Sequence, residues 1–328
     1  MLGACEQLEV SADRQSVGHP STVPWQLFAT TFRSNGPPPS FGPMSQAFLL
    51  GGDLPVNRIG FGAMRLSANG MIGPAREPET GRAVLRRAVE LGVNHIDTAS
   101  FYAGDDGAVT ANALIREALH PYPAGLVIAT KVGPARTPDG GVAQSTDPDV
   151  LRPMVEANLE ALGVDRLDLV YLRIGMMQPP HGESIAARFE ALAAMREEGL
   201  IRHLGLSNID SAHLAEARTI APVAAVQNHF HVGRRDDFEL LTACEQASIA
   251  FVPFFPLGGG MGLGPVGERM AKAAERHGAT VNQIALAWLL ASSPVTLAIP
   301  GTGSLVHLEE NLDADAISLT SEDLFDLV

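Results

Sequence analysis

Eight short apolar runs, each followed by an amphipathic stretch, most narrow what this chain can fold into. The runs are Ile59–Gly62, Asn94–Ala99, Leu126–Val132, Leu167–Leu172, His203–Ser207, Ala224–Asn228, Ala250–Phe255 and Val295–Pro300. A short apolar run bounded by turn residues reads as a strand buried on both faces. The segments between them carry helical spacing. Pro78–Leu91 is one, with Ala83, Val84, Ala88 and Leu91 at helical intervals. Repeated strand–helix units demand parallel strands, and eight of them in about 270 residues predict a closed α/β architecture, a (β/α)8 TIM barrel. An open doubly wound sheet is the alternative. No G-x-G-x-x-G follows the first strand to open a helix, which counts against it.

The N-terminal part differs. Residues 1–43, with SVGHPSTVP and SNGPPPSFGP, are rich in Pro, Ser and Gly and lack apolar periodicity, so a disordered extension is expected there. Met44 stands directly before the first ordered pattern and is a candidate translation start. Residues 44–328 are read as one barrel domain without an internal linker. The sequence AFLL, then GGD, then LPVNRI predicts a short hairpin ahead of the barrel.

Composition excludes some functions. Hydrophobic residues make up 46% of the chain, enough for a large core. A formal net charge of −14 argues against a nucleic-acid-binding face, which needs clustered Lys and Arg. An anionic cofactor can still be held by helix N-termini and backbone N–H groups. Cys5 and Cys244 are too far apart in sequence to suggest a disulfide framework, which fits a reducing cytoplasm. No apolar run reaches the length of a membrane helix. A monomer or weak oligomer is expected.

Active-site groups of such barrels sit at the C-terminal ends of the strands. The second run ends His95-Ile96-Asp97-Thr98-Ala99, and Tyr102 follows in the loop. The third ends Ile128-Ala129-Thr130-Lys131. A free phenol has a pKa near 10, too high for easy proton donation at neutral pH. A nearby ammonium favours the phenolate, and a carboxylate can hold that ammonium in place. Lys131 is one of only two lysines, so a compact ammonium at this spot is conspicuous. Each residue also has an ordinary reading: a helix cap for Asp97, packing for Tyr102, a snorkelling chain for Lys131. His229-Phe230-His231 could present two imidazoles on one side of a strand, but no third metal ligand accompanies them.

These residues lie in a wider pattern. Gly60-Phe61-Gly62-Ala63-Met64, His95-Ile96-Asp97-Thr98-Ala99 with Tyr102, and Ala129-Thr130-Lys131 resemble the aldo-keto reductases. So do Gly205-Leu206-Ser207-Asn208, Val226-Gln227-Asn228, and Ile299-Pro300-Gly301-Thr302 followed by Glu310-Asn311. The resemblance runs in order from about Asn57 to Asn311. It implies a barrel that binds NADPH, with NADH not excluded, and reduces a small-molecule aldehyde or ketone. By position it implies Tyr102 as proton donor, Lys131 as its tuning cation and Asp97 as the partner of that cation. Where the family has a histidine after the fourth strand, this chain has Arg173. An arginine cannot act as a general acid, but it can stabilise negative charge.

The resemblance also implies cofactor contacts. Ser207, Asn208 and Gln227 would hold the nicotinamide carboxamide. Phe254, where the family usually has tyrosine, would stack on the nicotinamide ring. Leu257 and Gly258 would approach the pyrophosphate, with Gly301, Thr302, Ser304, His307, Glu310 and Asn311 around the adenosine. No Lys or Arg stands near Gly301 or His307 to grip a 2′-phosphate, so that task would fall to Thr302, Ser304 and His307. The tract Val252–Gly260 together with Arg173 resembles a bacterial subgroup that includes pyridoxal reductases, which implies pyridoxal as substrate. The alternative is a cofactor-binding regulatory protein with little or no catalysis.

Overall fold

The computed structural model describes residues 47–68, 73–177, 179–258 and 266–327. The expected extension over 1–43, Met44, and Gly259 and Gly260 of the glycine run lie outside them. The expected hairpin is present: β1 (Phe48–Leu50) pairs antiparallel with β2 (Leu54–Val56), with Leu50 opposite Leu54.

Seven parallel strands follow in spatial order. They are β3 (Phe61–Gly62), β4 (His95–Asp97), β5 (Val127–Val132), β8 (Leu167–Arg173), β9 (Ile201–Ser207), β10 (Val223–Gln227) and β11 (Ala250–Phe251). The eighth apolar run is not a full strand, yet it closes the ring. Thr296 bridges Phe251 on one side, and Ala298 bridges Ile59 on the other, both parallel. The Gly60 N–H donates to Ala298 O at 2.8 Å, and the Leu297 N–H to Phe251 O at 2.9 Å. The result is a (β/α)8 barrel.

Strand alternation sorts the core into two layers. Val127, Ala129, Leu169, Tyr171 and Ala225 face inward and pack with Leu50, Leu54 and Val56 of the hairpin. The hairpin therefore stoppers the barrel. Their sequence neighbours Ile128, Val170, Leu172 and Val226 face outward, against helix residues such as Val84, Leu114, Val155 and Phe189. A second small hairpin, β6 (Pro134–Arg136) with β7 (Val142–Gln144), follows β5 at the C-terminal end. Nothing in the apolar pattern predicted it.

The short α1 (Met64–Ser67) leaves β3. Helix α2 (Pro78–Glu90) is shaped as its sequence demands, with Pro78 at its first turn and the Glu77 side chain accepting from the Glu79 N–H. Its buried face is Gly81, Val84, Leu85 and Ala88; Leu91 is an exposed cap residue rather than part of the stripe. Between the barrel and its helices runs a buried polar chain. The Thr98 hydroxyl donates to Asn112, Asn112 donates to Asn158, and the Thr130 hydroxyl also donates to Asn158. It ties the ends of β4 and β5 to the helices outside, which orients the two strand ends that carry Asp97 and Lys131. Cys244 is a buried free thiol, pushed up to about 12 by desolvation and thus inert.

Candidate active site

A single parity rule aims the site. Lys131 shares the inward parity of Val127 and Ala129, Arg173 that of Leu169 and Tyr171, and Gln227 that of Ala225. Each is at or next to the C-terminal end of its strand. Their side chains therefore converge above the last apolar layer of the barrel.

Lys131 Nζ lies 2.5 Å from Asp97 Oδ1 and also donates to the Thr98 carbonyl at 3.0 Å. Both side chains are almost wholly buried. A lone buried charge is costly, so the pair persists because each ion satisfies the other. The Gln227 amide donates to Asp97 Oδ2 at 2.7 Å, so the carboxylate is gripped through both oxygens. Lys131 Nζ stands 5.1 Å from the centre of the Tyr102 ring and 6.0 Å from that of Tyr171. The two phenols are not equivalent. Tyr171 is sealed in the barrel, and burial together with the Asp97 charge drives its phenol well above the ordinary range. Tyr102 lines an open cleft.

That cleft has a volume of about 560 Å³, within the range of small-molecule sites. Asp97, Tyr102, Arg173, Gln227, Phe254, Leu257, Gly301, Thr302, Ser304, His307 and Asn311 all line it. Lys131 lies behind this surface. Ser207, Asn208, Gly258 and Glu310 are not among the lining residues.

Internal contacts explain part of this. The Ser207 hydroxyl accepts from Arg173 Nη1 at 3.0 Å. Asn208 has a left-handed backbone, φ 60°, which Asn tolerates better than most residues, and its amide donates to the Ile174 carbonyl at 2.7 Å. Arg173 also donates to Met176 O at 2.6 Å, and its Cζ lies 4.8 Å from the Phe254 ring centre. His229 stacks on the same ring at 5.2 Å. Phe254 is thus shared between a guanidinium and an imidazole rather than standing as a bare platform. Burial pulls Arg173 below the usual arginine range, opposed by the Tyr102 and Asp97 charges. It remains a cation at neutral pH.

Several lining residues gave no sequence signal. Phe101, Met176 and Met177 add apolar wall, while Arg65 and Arg76 bring positive charge into the cleft. Phe255 also lines it, with a left-handed φ of 53°. A bulky residue in that region is strained, and such strain concentrates at functional sites.

A cleft at the C-terminal mouth of a (β/α)8 barrel, holding a phenol beside a buried ammonium–carboxylate pair, is an arrangement suited to proton transfer to a carbonyl oxygen. Comparison with known proteins agrees. Residues 58–327 match the model of the aldo/keto reductase family. The chain is 44% identical over 281 residues to pyridoxine 4-dehydrogenase of Escherichia coli, covering 85% of this chain and 96% of that protein. It is 42% identical over 272 residues to an uncharacterized oxidoreductase of Schizosaccharomyces pombe, covering 83% of this chain and 85% of that protein. Among solved structures, an aldo/keto reductase from Klebsiella pneumoniae in complex with NADP and acetate superposes with a TM-score of 0.69 at 26% identity, over 86% of this chain and 94% of that one. The chain belongs to the aldo/keto reductase family and is an NAD(P)H-dependent oxidoreductase. Among the described residues no helix is long and apolar enough to cross a membrane.

Proposed function

We propose that this protein reduces an aldehyde to an alcohol with NADPH, and that pyridoxal is its substrate. The observation that carries the reading is the buried Asp97–Lys131 pair held beside the Tyr102 ring at the edge of the cleft. The similarity to a pyridoxine 4-dehydrogenase, at 44% identity, supports the substrate.

The residues fit a nicotinamide dinucleotide. The cleft runs from Tyr102 and Phe254 to Ser304 and His307, and its walls combine aromatic rings, backbone-exposing glycines and cations. Phe254, Leu257, Gly301, Thr302, Ser304, His307 and Asn311 would line the bound cofactor, with Gln227 on the floor. Ser207, Asn208, Gly258 and Glu310 would support them from behind. When bound, the reduced nicotinamide supplies the hydride.

The chain's own part is proton and charge management. Tyr102 gives its phenolic proton to the oxygen of the carbonyl as that oxygen becomes an alkoxide. The Lys131 ammonium stabilises the negative charge left on the phenol, and its field is strong because water is excluded. Asp97, gripped by Gln227, keeps that ammonium in place. Arg173 cannot donate a proton, so it acts on the carbonyl oxygen as a fixed positive charge. Phe101, Met176 and Met177 supply apolar wall for an aromatic aldehyde.

The test is turnover of purified protein with pyridoxal and with simple aliphatic aldehydes, followed by loss of reduced-nicotinamide absorbance. Pyridoxal is expected to give the highest kcat/KM of the panel. Tight cofactor binding without turnover of any carbonyl would instead favour the regulatory reading.

A further inference from the structure

The β6–β7 hairpin leaves β5 just after Lys131 and touches the two neighbouring units that carry Tyr102 and Arg173. Gly133 starts it with φ 113°, and a Cβ there would fall 2.3 Å from the Arg173 carbonyl oxygen, so only glycine permits the approach. The Gln144 side-chain amide donates to that same carbonyl at 2.9 Å, and the Ser145 N–H closes the hairpin onto Gly133 O at 3.1 Å. On the other side Arg136 reaches across to the loop after β4. Its Nη1 donates to Ala103 O at 3.5 Å, and its Nη2 to Gly104 O and to Asp105 O, both at 3.1 Å. These are the three carbonyls that directly follow Tyr102. Pro134 and Val142 of the hairpin line the cleft together with Tyr102 and Arg173.

We propose that Arg136 is a positioning residue for Tyr102, and that the β6–β7 hairpin is the brace through which it acts. This rests on the reading of Tyr102 as the proton donor. The turn around Tyr102 is shaped from within, by the Tyr102 N–H donating to Ala99 O and the Ala111 N–H donating to Tyr102 O. Such local bonds set the form of a loop but not its place against the next strand. Arg136 supplies that second restraint. A planar guanidinium carries its N–H donors in a rigid fork, so one side chain can hold several acceptors in one arrangement. Among the described residues, all three hydrogen bonds of Arg136 go to backbone carbonyls. The hairpin continues the strand that carries Lys131, so Arg136 ties the Tyr102 loop to the strand of the ammonium 5.1 Å from its ring. Proton transfer depends steeply on such placement, and a misplacement of about 1 Å can cost about 10²-fold in rate.

The experiment is steady-state reduction of pyridoxal and of propanal by NADPH, with NADP+ binding by calorimetry. It compares the full chain with Arg136→Ala, Arg136→Lys, Tyr102→Phe and the variant carrying both Tyr102→Phe and Arg136→Ala. Arg136→Ala is expected to lower kcat by about 10- to 100-fold and to change NADP+ affinity less than about twofold. Arg136→Lys keeps a cation but not the fork, and should lose less. In the Tyr102→Phe background, Arg136→Ala should change kcat less than about twofold, because a group that acts only through Tyr102 has nothing left to position. If Arg136→Ala does not fold, Arg136→Lys takes its place in the same cycle. Unchanged kcat in the Arg136 variants would overturn the assignment. So would an equal loss in both backgrounds, the mark of a merely structural role. Turnover that survives Tyr102→Phe unchanged would instead overturn the reading of Tyr102 as proton donor.

Discussion

The two sides of one cleft are built differently. Around Tyr102, Lys131 is 1% exposed and Asp97 is 4% exposed, and the ends of β4, β5 and β10 are tied together through Asp97. Around Gly303, Arg76 and Ser304 are half-buried and His307 is exposed. Proton donation needs a strong, fixed field, which requires low dielectric and groups locked by packing. Holding an anionic cofactor works nearer to water, because opposite charges attract and orient each other over a surface contact. The contrast teaches that one side tolerates little change while the other can be retuned.

The largest expected effect breaks the catalytic side alone. Tyr102→Phe should lower kcat by about 10²- to 10⁴-fold, the usual contribution of a positioned general acid, with NADP+ affinity little changed. Retained turnover in a steady-state assay would contradict the role given to Tyr102.

Asp97→Ala leaves a buried ammonium without its partner. A stability loss of about 3–5 kcal/mol is expected in urea unfolding. An effect near that of a surface ion pair would mean that water reaches Lys131.

His95 shares the inward parity of Asp97 and sits against Gly60, with neither ring nitrogen hydrogen-bonded. Burial lowers its pKa to about 4. An unfolded histidine titrates near 6.5, so between these values the unfolded chain binds a proton that the folded chain refuses. Stability should therefore fall as the pH drops from about 6.5 to about 4, by on the order of 3 kcal/mol for this group. Unfolding measured across that range in His95→Phe should give a flatter profile. An identical profile would place the titrating group elsewhere.

The smallest effect tests the open side. Ser304→Ala removes the cap of the helix Leu305–Asp313 and should cost about 1 kcal/mol, together with a modest loss of NADP+ affinity and no change in kcat at saturating cofactor. A large fall in kcat would show that the two sides are coupled.

Much of the catalytic side was legible beforehand because its information is local. Asp97 and Tyr102 are five residues apart, and Lys131 is the last residue but one of the next strand; short motifs carry such groups. The open side was not legible. Arg76 is one of many arginines, and nothing around it in sequence points to Gly303, against which its guanidinium packs. The β6–β7 hairpin was missed because Pro134–Arg136 and Val142–Gln144 lack a strong apolar alternation. The expected full eighth strand proved to be a closing segment held by isolated bridges.

The sequence by itself determined the strand–helix alternation, the short hairpin ahead of the barrel, and the shared parity of Lys131 with Ala129, of Arg173 with Tyr171 and of Gln227 with Ala225; which parity faces inward was read from the packing. The alternation and the shared parity follow from backbone geometry, which repeats every two residues in a strand and every 3.6 in a helix. Tertiary structure decided which partners those side chains meet: Arg173 on Phe254 and Ser207, Gln227 on Asp97, Arg76 over Gly303. Such contacts join residues that are neighbours only after the barrel closes, and no local periodicity encodes them.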